Sequence, residues 1–157
     1  QRMVVDSHAH IDGPEFDADR EEVIQRAHAA GVSTILNVGT GDPHSPAFER
    51  AIELGKSHPS VYTAIGTHPH DARLYDDQAE ERTRLLIQKG ERVVAWGEIG
   101  LDFHYDNSPR EAQLAALSAQ VALAAEEKKP LVVHTRDAED DTAAIFHTAI
   151  GVVPAQI

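Results

Sequence analysis

The sequence predicts an α/β fold in which parallel strands alternate with helices. Short apolar or β-branched runs alternate strictly with longer amphipathic stretches, and successive strands begin about thirty residues apart. Spacing of this kind leaves room for one helical crossover between each pair of neighbouring strands. No linker or low-complexity segment interrupts the pattern, so we expect residues 1–157 to form a single domain.

In the first half of the chain, the run Met3-Val4-Val5 opens a strand predicted over residues 3–6. Residues Val23, Ile24 and Ala27 then recur at helical spacing, and Gly31 ends that helix. The β-branched run 32–38 predicts the second strand. By the same two patterns, the next elements are a helix at 46–57, a strand at 61–65 and a helix at 77–89.

In the second half, residues 93–96 predict a strand that ends at the block Gly97-Glu98-Ile99-Gly100-Leu101-Asp102. The helix that follows carries Leu114, Leu117 and Val121 on one stripe. The remaining elements are that helix at 109–128, a strand at 131–133, a helix at 139–149 and the start of a sixth strand at 151–153. Five units and this start are too few for a closed eight-unit barrel. They suffice for an open doubly wound sheet, but a Gly-x-Gly-x-x-Gly signature does not follow the first strand.

Composition restricts the function. The formal net charge of −12 excludes broad binding of nucleic acid through a basic surface, so a polyanionic substrate would need a local positive centre such as bound divalent cations. The chain has no cysteine, which excludes disulfides and thiolate ligands. No apolar run is long enough for a membrane span, and the N-terminus has no signal-peptide pattern. These features predict a cytoplasmic protein.

The first strand leads into two histidines, His8 and His10. Because alternate residues of a strand point to the same face, the two imidazoles can lie side by side. Glu98 and His134 also follow apolar strand runs, and the carboxyl ends of parallel strands meet at one mouth if the sheet curves into a barrel. Three imidazoles and a bridging carboxylate suit Zn²⁺, Mn²⁺ or a related ion, and two ions bridged by Glu98 would lie about 3.5–4 Å apart.

Each of these residues also has a purely structural interpretation. The histidine pair could cap a strand, Glu98 could form a salt bridge, and His134 could be a buried, hydrogen-bonded histidine. Asp102 either accepts a hydrogen bond from a metal-bound histidine, which would make it a catalytic carboxylate together with Glu98, or caps a turn.

Two residues suit contact with a substrate phosphate, namely His68 and Arg136. The alternatives are a proline-stiffened loop for His68 and a salt bridge to Asp137 or Glu139 for Arg136. For His70 a substrate contact and a solvent-facing position are equally compatible with the sequence. The other histidines, read as surface or packing residues, are His28, His44, His58, His104 and His147.

Four segments together resemble the successive signatures of the TatD family of metal-dependent hydrolases and deoxyribonucleases. The segments are Asp6-Ser7-His8-Ala9-His10, Gly66-Thr67-His68-Pro69, Gly97-Glu98-Ile99-Gly100-Leu101-Asp102 and His134-Thr135-Arg136-Asp137-Ala138. The resemblance implies an incomplete TIM-barrel-type (β/α) fold that cleaves phosphodiesters, with DNA as substrate, through two divalent ions (Zn, Mn or Mg). It implies His8, His10, Glu98 and His134 as metal ligands, with His68 and Arg136 near the substrate phosphate.

The family pattern continues beyond this chain, with a histidine on the sixth strand and an aspartate near the eighth that residues 151–157 do not supply. We therefore expect a truncated member that self-associates through an open barrel edge. Three functions stay open: phosphodiester hydrolysis by metal-activated water, a catalytically silent metal-binding fragment, and an amidohydrolase acting on a cyclic amide or lactone. The Gly-Glu-Ile-Gly-Leu-Asp block, and the lack of a strand-end lysine to carboxylate, favour the first over the third.

Overall fold

The computed structural model describes residues 3–150, which form one sheet of five parallel strands in the order β1-β2-β3-β4-β5. The strands are β1 (Val4–Ala9), β2 (Val32–Gly39), β3 (Val61–Ile65), β4 (Val93–Asp102) and β5 (Leu131–Arg136). The helices are α1 (Arg20–Ala29), α2 (Ala47–Ser57), α3 (Asp77–Lys89), α4 (Arg110–Glu126) and α5 (Glu139–Ile150), with short 3₁₀ helices at Pro14–Phe16 and Pro69–Leu74. The predicted α/β fold of parallel strand–helix units is thereby confirmed.

The predicted sixth strand, residues 151–153, lies outside the described residues. Within residues 3–150 no helix is long and apolar enough to cross a membrane.

Three strands run further than the apolar pattern predicts. The prediction that β4 ends at Trp96 is wrong, because its ladder with β5 continues to Asp102. Strand β1 likewise reaches Ala9 and β5 reaches Arg136. Backbone pairing therefore continues after the apolar run stops. Glu98 and His134 lie inside strands rather than after them.

Two glycines around Glu98 allow this pairing. A Cβ on Gly97 would lie 2.6 Å from the carbonyl oxygen of Val132. A Cβ on Gly100, whose φ is +154°, would lie 1.7 Å from the carbonyl oxygen of His134. Glycine is required at both positions because the backbone of β5 approaches too closely for any side chain. The register between β4 and β5 shifts between Gly97 and Ile99, at the position of Glu98.

The core lies on both faces of the sheet. On the helix-covered face the largest cluster contains the fully buried Phe48, Trp96 and Leu117. On the other face a small cluster forms from Val38, Ala64 and Ala95, with Leu36 and Val132 packed against it. All five of these residues come from strands, as expected for side chains that fill the inside of a curved sheet.

Candidate metal centre

His8 in β1 and His10 immediately after it present their Nε2 atoms to each other, 3.3 Å apart. His10 Nδ1 lies 2.7 Å from the carbonyl oxygen of Val38. A carbonyl can only accept a hydrogen bond, so His10 must carry its proton on Nδ1. The Nε2 atom of neutral His10 therefore holds a free lone pair, which is the form of imidazole that binds a metal.

The buried carboxylate of Glu98 lies between two groups of imidazoles. Its Oε2 atom is 3.2 Å from His8 Nε2 and 3.7 Å from His10 Nε2. Its Oε1 atom is 3.2 Å from His134 Nδ1 and 4.0 Å from His68 Nε2. We call these two halves the β1 side and the β5 side of Glu98.

The contact between His8 and Glu98 shows that the sheet is curved. Strands β1 and β4 are separated by β2 and β3 in the sheet. In a flat sheet three strand spacings would hold them about 14 Å apart. Side chains from the two strands instead meet at 3.2 Å, because the sheet curls and brings its carboxyl-terminal edge together.

Asp102 orients His134 on the β5 side. His134 Nε2 lies 2.9 Å and His70 Nε2 3.1 Å from Asp102 Oδ2, while the backbone N–H of Tyr105 donates to Oδ1 at 2.9 Å. Burial alone would raise the pKa of Asp102, but these hydrogen bonds hold it well below the usual range. An ionised Asp102 accepts a hydrogen bond from the Nε2–H group of His134. The lone pair on His134 Nδ1 therefore points at Glu98.

His68 is a donor rather than a ligand in this arrangement. The backbone N–H of His70 donates to His68 Nδ1 at 3.0 Å, which leaves the ring proton on Nε2. Burial lowers the pKa of His68 to about 4, so the ring is neutral at pH 7. His68 therefore directs an N–H group towards Glu98 and the space beside it.

The residues present fit a divalent cation best on the β1 side. The three candidate ligand atoms of His8, His10 and Glu98 are separated by 3.2, 3.3 and 3.7 Å. Ligands held about 2.0–2.1 Å from a tetrahedral Zn²⁺ are themselves roughly 3.3 Å apart. Two imidazole nitrogens and a carboxylate oxygen are also a donor set that Zn²⁺ and Mn²⁺ accept. The second group of compatible geometry, His68, Glu98 and His134, shares the same carboxylate.

Arg136 lies at the outer edge of this cluster. Its Nη1 is 3.9 Å from Asp102 Oδ2, so its acidic neighbour is Asp102 and not the Asp137 or Glu139 considered from the sequence. Asp137 instead lies 3.1 Å from His104.

Several other histidines make packing or surface contacts, for example His28 with Ser60 and His58 with Glu21.

Two buried glutamines, which the sequence analysis missed, fix the backbone of the loop after β3 and of the end of β4. Gln120 accepts from the backbone N–H of Thr67 at 2.8 Å and donates to the carbonyl of Thr67 at 3.1 Å. Gln113 makes the same paired contact with the backbone of Asp102, at 2.8 and 3.2 Å. Both lie on the buried face of α4 with Leu117. The sequence did offer a signal for them, because each glutamine occupies a position on the buried stripe of α4 where an apolar residue is expected.

Comparison with known proteins is consistent across sequence and structure. The model of the TatD related DNase family matches residues 5–153. The chain is 41% identical over 146 residues to the uncharacterized metal-dependent hydrolase YabD of Bacillus subtilis, covering 92% of this chain and 55% of that protein. It is 40% identical over 147 residues to the 3'-5' ssDNA/RNA exonuclease TatD of Enterobacter lignolyticus, covering 94% and 55%.

Solved structures give the same picture. The TatD homologue YJJV of Escherichia coli superimposes with a TM-score of 0.83 at 33% identity, over 92% of this chain and 55% of that one. A TatD family hydrolase of Entamoeba histolytica matches with a TM-score of 0.82 at 24% identity, a likeness of fold, over 96% and 55% of the two chains. The chain thus spans about half the length of the relatives it matches. With the family model matching nearly all of its residues, the chain belongs to the TatD related DNase family.

Proposed function

We propose that this chain binds divalent metal ions at Glu98 and hydrolyses phosphodiester bonds of single-stranded nucleic acid. The observation that carries the proposal is the position of Glu98, with one oxygen facing the imidazoles of His8 and His10 and the other facing His134. A carboxylate in that position can bridge two ions. The similarity to a metal-dependent hydrolase and to an exonuclease on single-stranded DNA and RNA supports the reaction class over an amidohydrolase of cyclic amides.

Bound divalent ions would supply an activated water and would stabilise charge on the phosphoryl oxygens. The chain's own residues would hold the substrate. The Nε2–H of His68 is placed to donate to a phosphoryl oxygen beside Glu98. The guanidinium of Arg136 offers a second, charged donor at the same edge of the strands. Asp102 acts through His134, whose ring it orients.

The two sides of Glu98 differ in what they offer an ion. On the β1 side, two imidazoles and one carboxylate oxygen converge. On the β5 side, residues 3–150 supply one imidazole lone pair, from His134, and one carboxylate oxygen, because His68 carries its proton on Nε2. We propose that the first ion binds tightly between His8 and His10 and the second binds more weakly. This asymmetry is also what favours the second candidate function, a metal-binding but catalytically silent chain.

The deciding experiment counts ions and products together. The chain is dialysed against Mn²⁺ or Zn²⁺, its metal content per chain is measured by elemental analysis, and cleavage of a labelled single-stranded DNA is followed. Two ions per chain with cleavage would support the hydrolase. One ion without cleavage would support the silent metal-binding chain, and no ion would contradict both.

We also propose that the chain self-associates. Strand β1 pairs with β2 alone among the strands of residues 3–150, and it exposes Met3, Val4 and Val5 by 81, 49 and 61%. An apolar edge strand offers unpaired backbone groups and apolar side chains to a second copy. Light scattering should detect an oligomer, whereas a uniform monomer with a cooperative melt would contradict the proposal.

A cytoplasmic location stays a prediction from the sequence.

A further inference from the structure

An exposed aromatic ring lies beside the metal centre, on the loop that follows β4. Tyr105 is 57% exposed, although a ring of its size is commonly mostly buried. The Cζ of Arg136 lies over the ring at 5.2 Å from its centroid, and the rings of His104 and His70 meet it edge-on at 4.7 and 6.0 Å. We call Tyr105, His104 and Arg136 the Tyr105 platform.

The backbone under this ring is fixed. Asp102 Oδ1 accepts the backbone N–H groups of His104 and Tyr105, at 3.2 and 2.9 Å. Asp102 is itself fully buried, and Gln113 holds its backbone. The exposed ring therefore stands on a loop tied to the core. A ring held in this way loses little conformational entropy when a flat ligand stacks on it.

One carboxylate joins the Tyr105 platform to the metal centre. While Oδ1 of Asp102 holds the loop, Oδ2 accepts from His134 and His70 and lies 3.9 Å from Arg136. A phosphodiester bound between Glu98 and Arg136 would thus have the ring of Tyr105 next to it. In a nucleic acid strand, the group attached next to a phosphate through the sugar is a nucleobase.

The charge of the chain favours stacking over ionic contact as the source of affinity. With a formal net charge of −12, release of counterions cannot hold a strand along the surface. Two exposed acids close to the platform in the chain or in contact with it are partnered, Asp106 with Arg110 and Asp137 with His104. Aromatic stacking is independent of base identity and does not need a basic surface, which suits a single-stranded substrate.

We propose that the Tyr105 platform binds a nucleobase adjacent to the phosphodiester at the metal centre. The base stacks on the face of the Tyr105 ring that Arg136 does not cover, and the guanidinium of Arg136 donates to the phosphate. The inference rests on the proposed function in so far as the ligand is a nucleic acid strand. It adds a subsite that recognises the base, whereas the metal centre recognises the phosphate.

The test compares a fluorescently labelled oligothymidine with an abasic strand of the same length, both with phosphorothioate linkages to slow cleavage. Binding is measured by anisotropy in Mn²⁺. The wild-type chain should prefer the thymidine strand by roughly tenfold, and Tyr105→Ala should remove that preference without weakening binding of the abasic strand. Tyr105→Phe should keep it, because the ring and not the hydroxyl stacks.

The matched control is Tyr62→Ala. Arg92 lies over the ring of Tyr62, 4.1 Å from its centroid. Arg92 immediately precedes β4, so this pair lies at the amino-terminal ends of the strands, whereas the metal centre lies at their carboxyl-terminal ends. This substitution should leave the preference unchanged. Equal binding of the two strands by the wild-type chain, loss of the preference in Tyr105→Phe, or equal weakening of both strands by Tyr105→Ala would overturn the proposal.

Cleavage of the oligothymidine with ordinary phosphate linkages tests the proposed function separately, because it reports hydrolysis and not the preference for a base. Base-dependent binding without such cleavage would contradict the hydrolase and support the platform. Cleavage without base-dependent binding would support the hydrolase and contradict the platform.

Discussion

The two sides of Glu98 look alike in sequence and differ in chemistry. On the β1 side, His8 and His10 have side chains 40 and 48% exposed. On the β5 side, His68 and His134 are 12 and 16% exposed, and their hydrogen bonds turn an N–H group of His68 but a lone pair of His134 towards Glu98. Burial and hydrogen bonding decide which imidazole turns a lone pair towards Glu98 and which turns an N–H group towards it. A count of histidines cannot separate the two.

Glu98→Gln should disturb both sides and give the largest effect. Replacing a charged carboxylate with a neutral amide removes the ligand charge that the two sides share, so we expect metal affinity to fall by about a hundredfold or more. Titration calorimetry with Mn²⁺ or Zn²⁺ measures the loss. Glu111→Gln, on the exposed first turn of α4, is the matched control and should bind as the wild type does. Unchanged affinity in Glu98→Gln would remove Glu98 from the centre.

His10→Ala should break the β1 side alone. The substitution removes one of two imidazoles whose Nε2 atoms lie 3.3 Å apart, so the tight ion should be lost while the weak one stays. Elemental analysis at limiting and at excess metal separates the two ions. His28→Ala, whose ring contacts Ser60 far along the chain, controls for loss of a histidine. If instead the weak ion disappeared first, the assignment of the two sides would be reversed.

Asp102→Asn should weaken the β5 side by a smaller amount. The amide can no longer hold the Nε2 proton of His134 in the same way, and loss of such a supporting carboxylate costs about 10–100-fold in metal affinity. Binding of the first ion should change little. Because His70 and the Tyr105 backbone also depend on Asp102, the variant should lose about 1–3 kcal/mol of unfolding free energy in urea. A change confined to the tight ion would contradict this arrangement.

Arg136→Ala should leave metal affinity within about twofold of the wild type, because Arg136 contacts Asp102 only at 3.9 Å and supplies no ligand atom. Its effect should fall on binding of the nucleic acid strand. Comparing the loss of metal affinity in Glu98→Gln with that in Arg136→Ala therefore distinguishes a metal ligand from a residue that contacts only the substrate. Equal losses of metal affinity in the two variants would count against the whole assignment.

Much of the fold was predictable because its signals are local. The alternation of short apolar or β-branched runs with longer stretches predicted all five helices and all five strands of the described chain. The extension of β4 to Asp102 was missed because Gly97 and Gly100 are also typical of a turn. Only the approach of β5 reveals that they are needed within a strand, at a distance where any Cβ would collide with its backbone.

The candidate site was predictable in its members and not in their roles. His8, His10, Glu98 and His134 were chosen from their positions after strand runs, and the structure brings their side chains together. The paired contacts of Gln113 with the backbone of Asp102 and of Gln120 with the backbone of Thr67 were missed. The exposed ring of Tyr105 beside the candidate metal centre was also missed. Each of these depends on a partner distant in the chain.

By itself, the sequence determined the order of elements, the parallel pairing and the residue types that gather at the strand ends, because period and spacing act along the chain. Tertiary structure alone decided that β1 meets β4 across two strands, that Glu98 divides the imidazoles into two groups, and that His134 donates to Asp102 and turns its Nδ1 lone pair towards Glu98. The physical reason is curvature. Proton positions follow from which groups a curled sheet brings within hydrogen-bond distance.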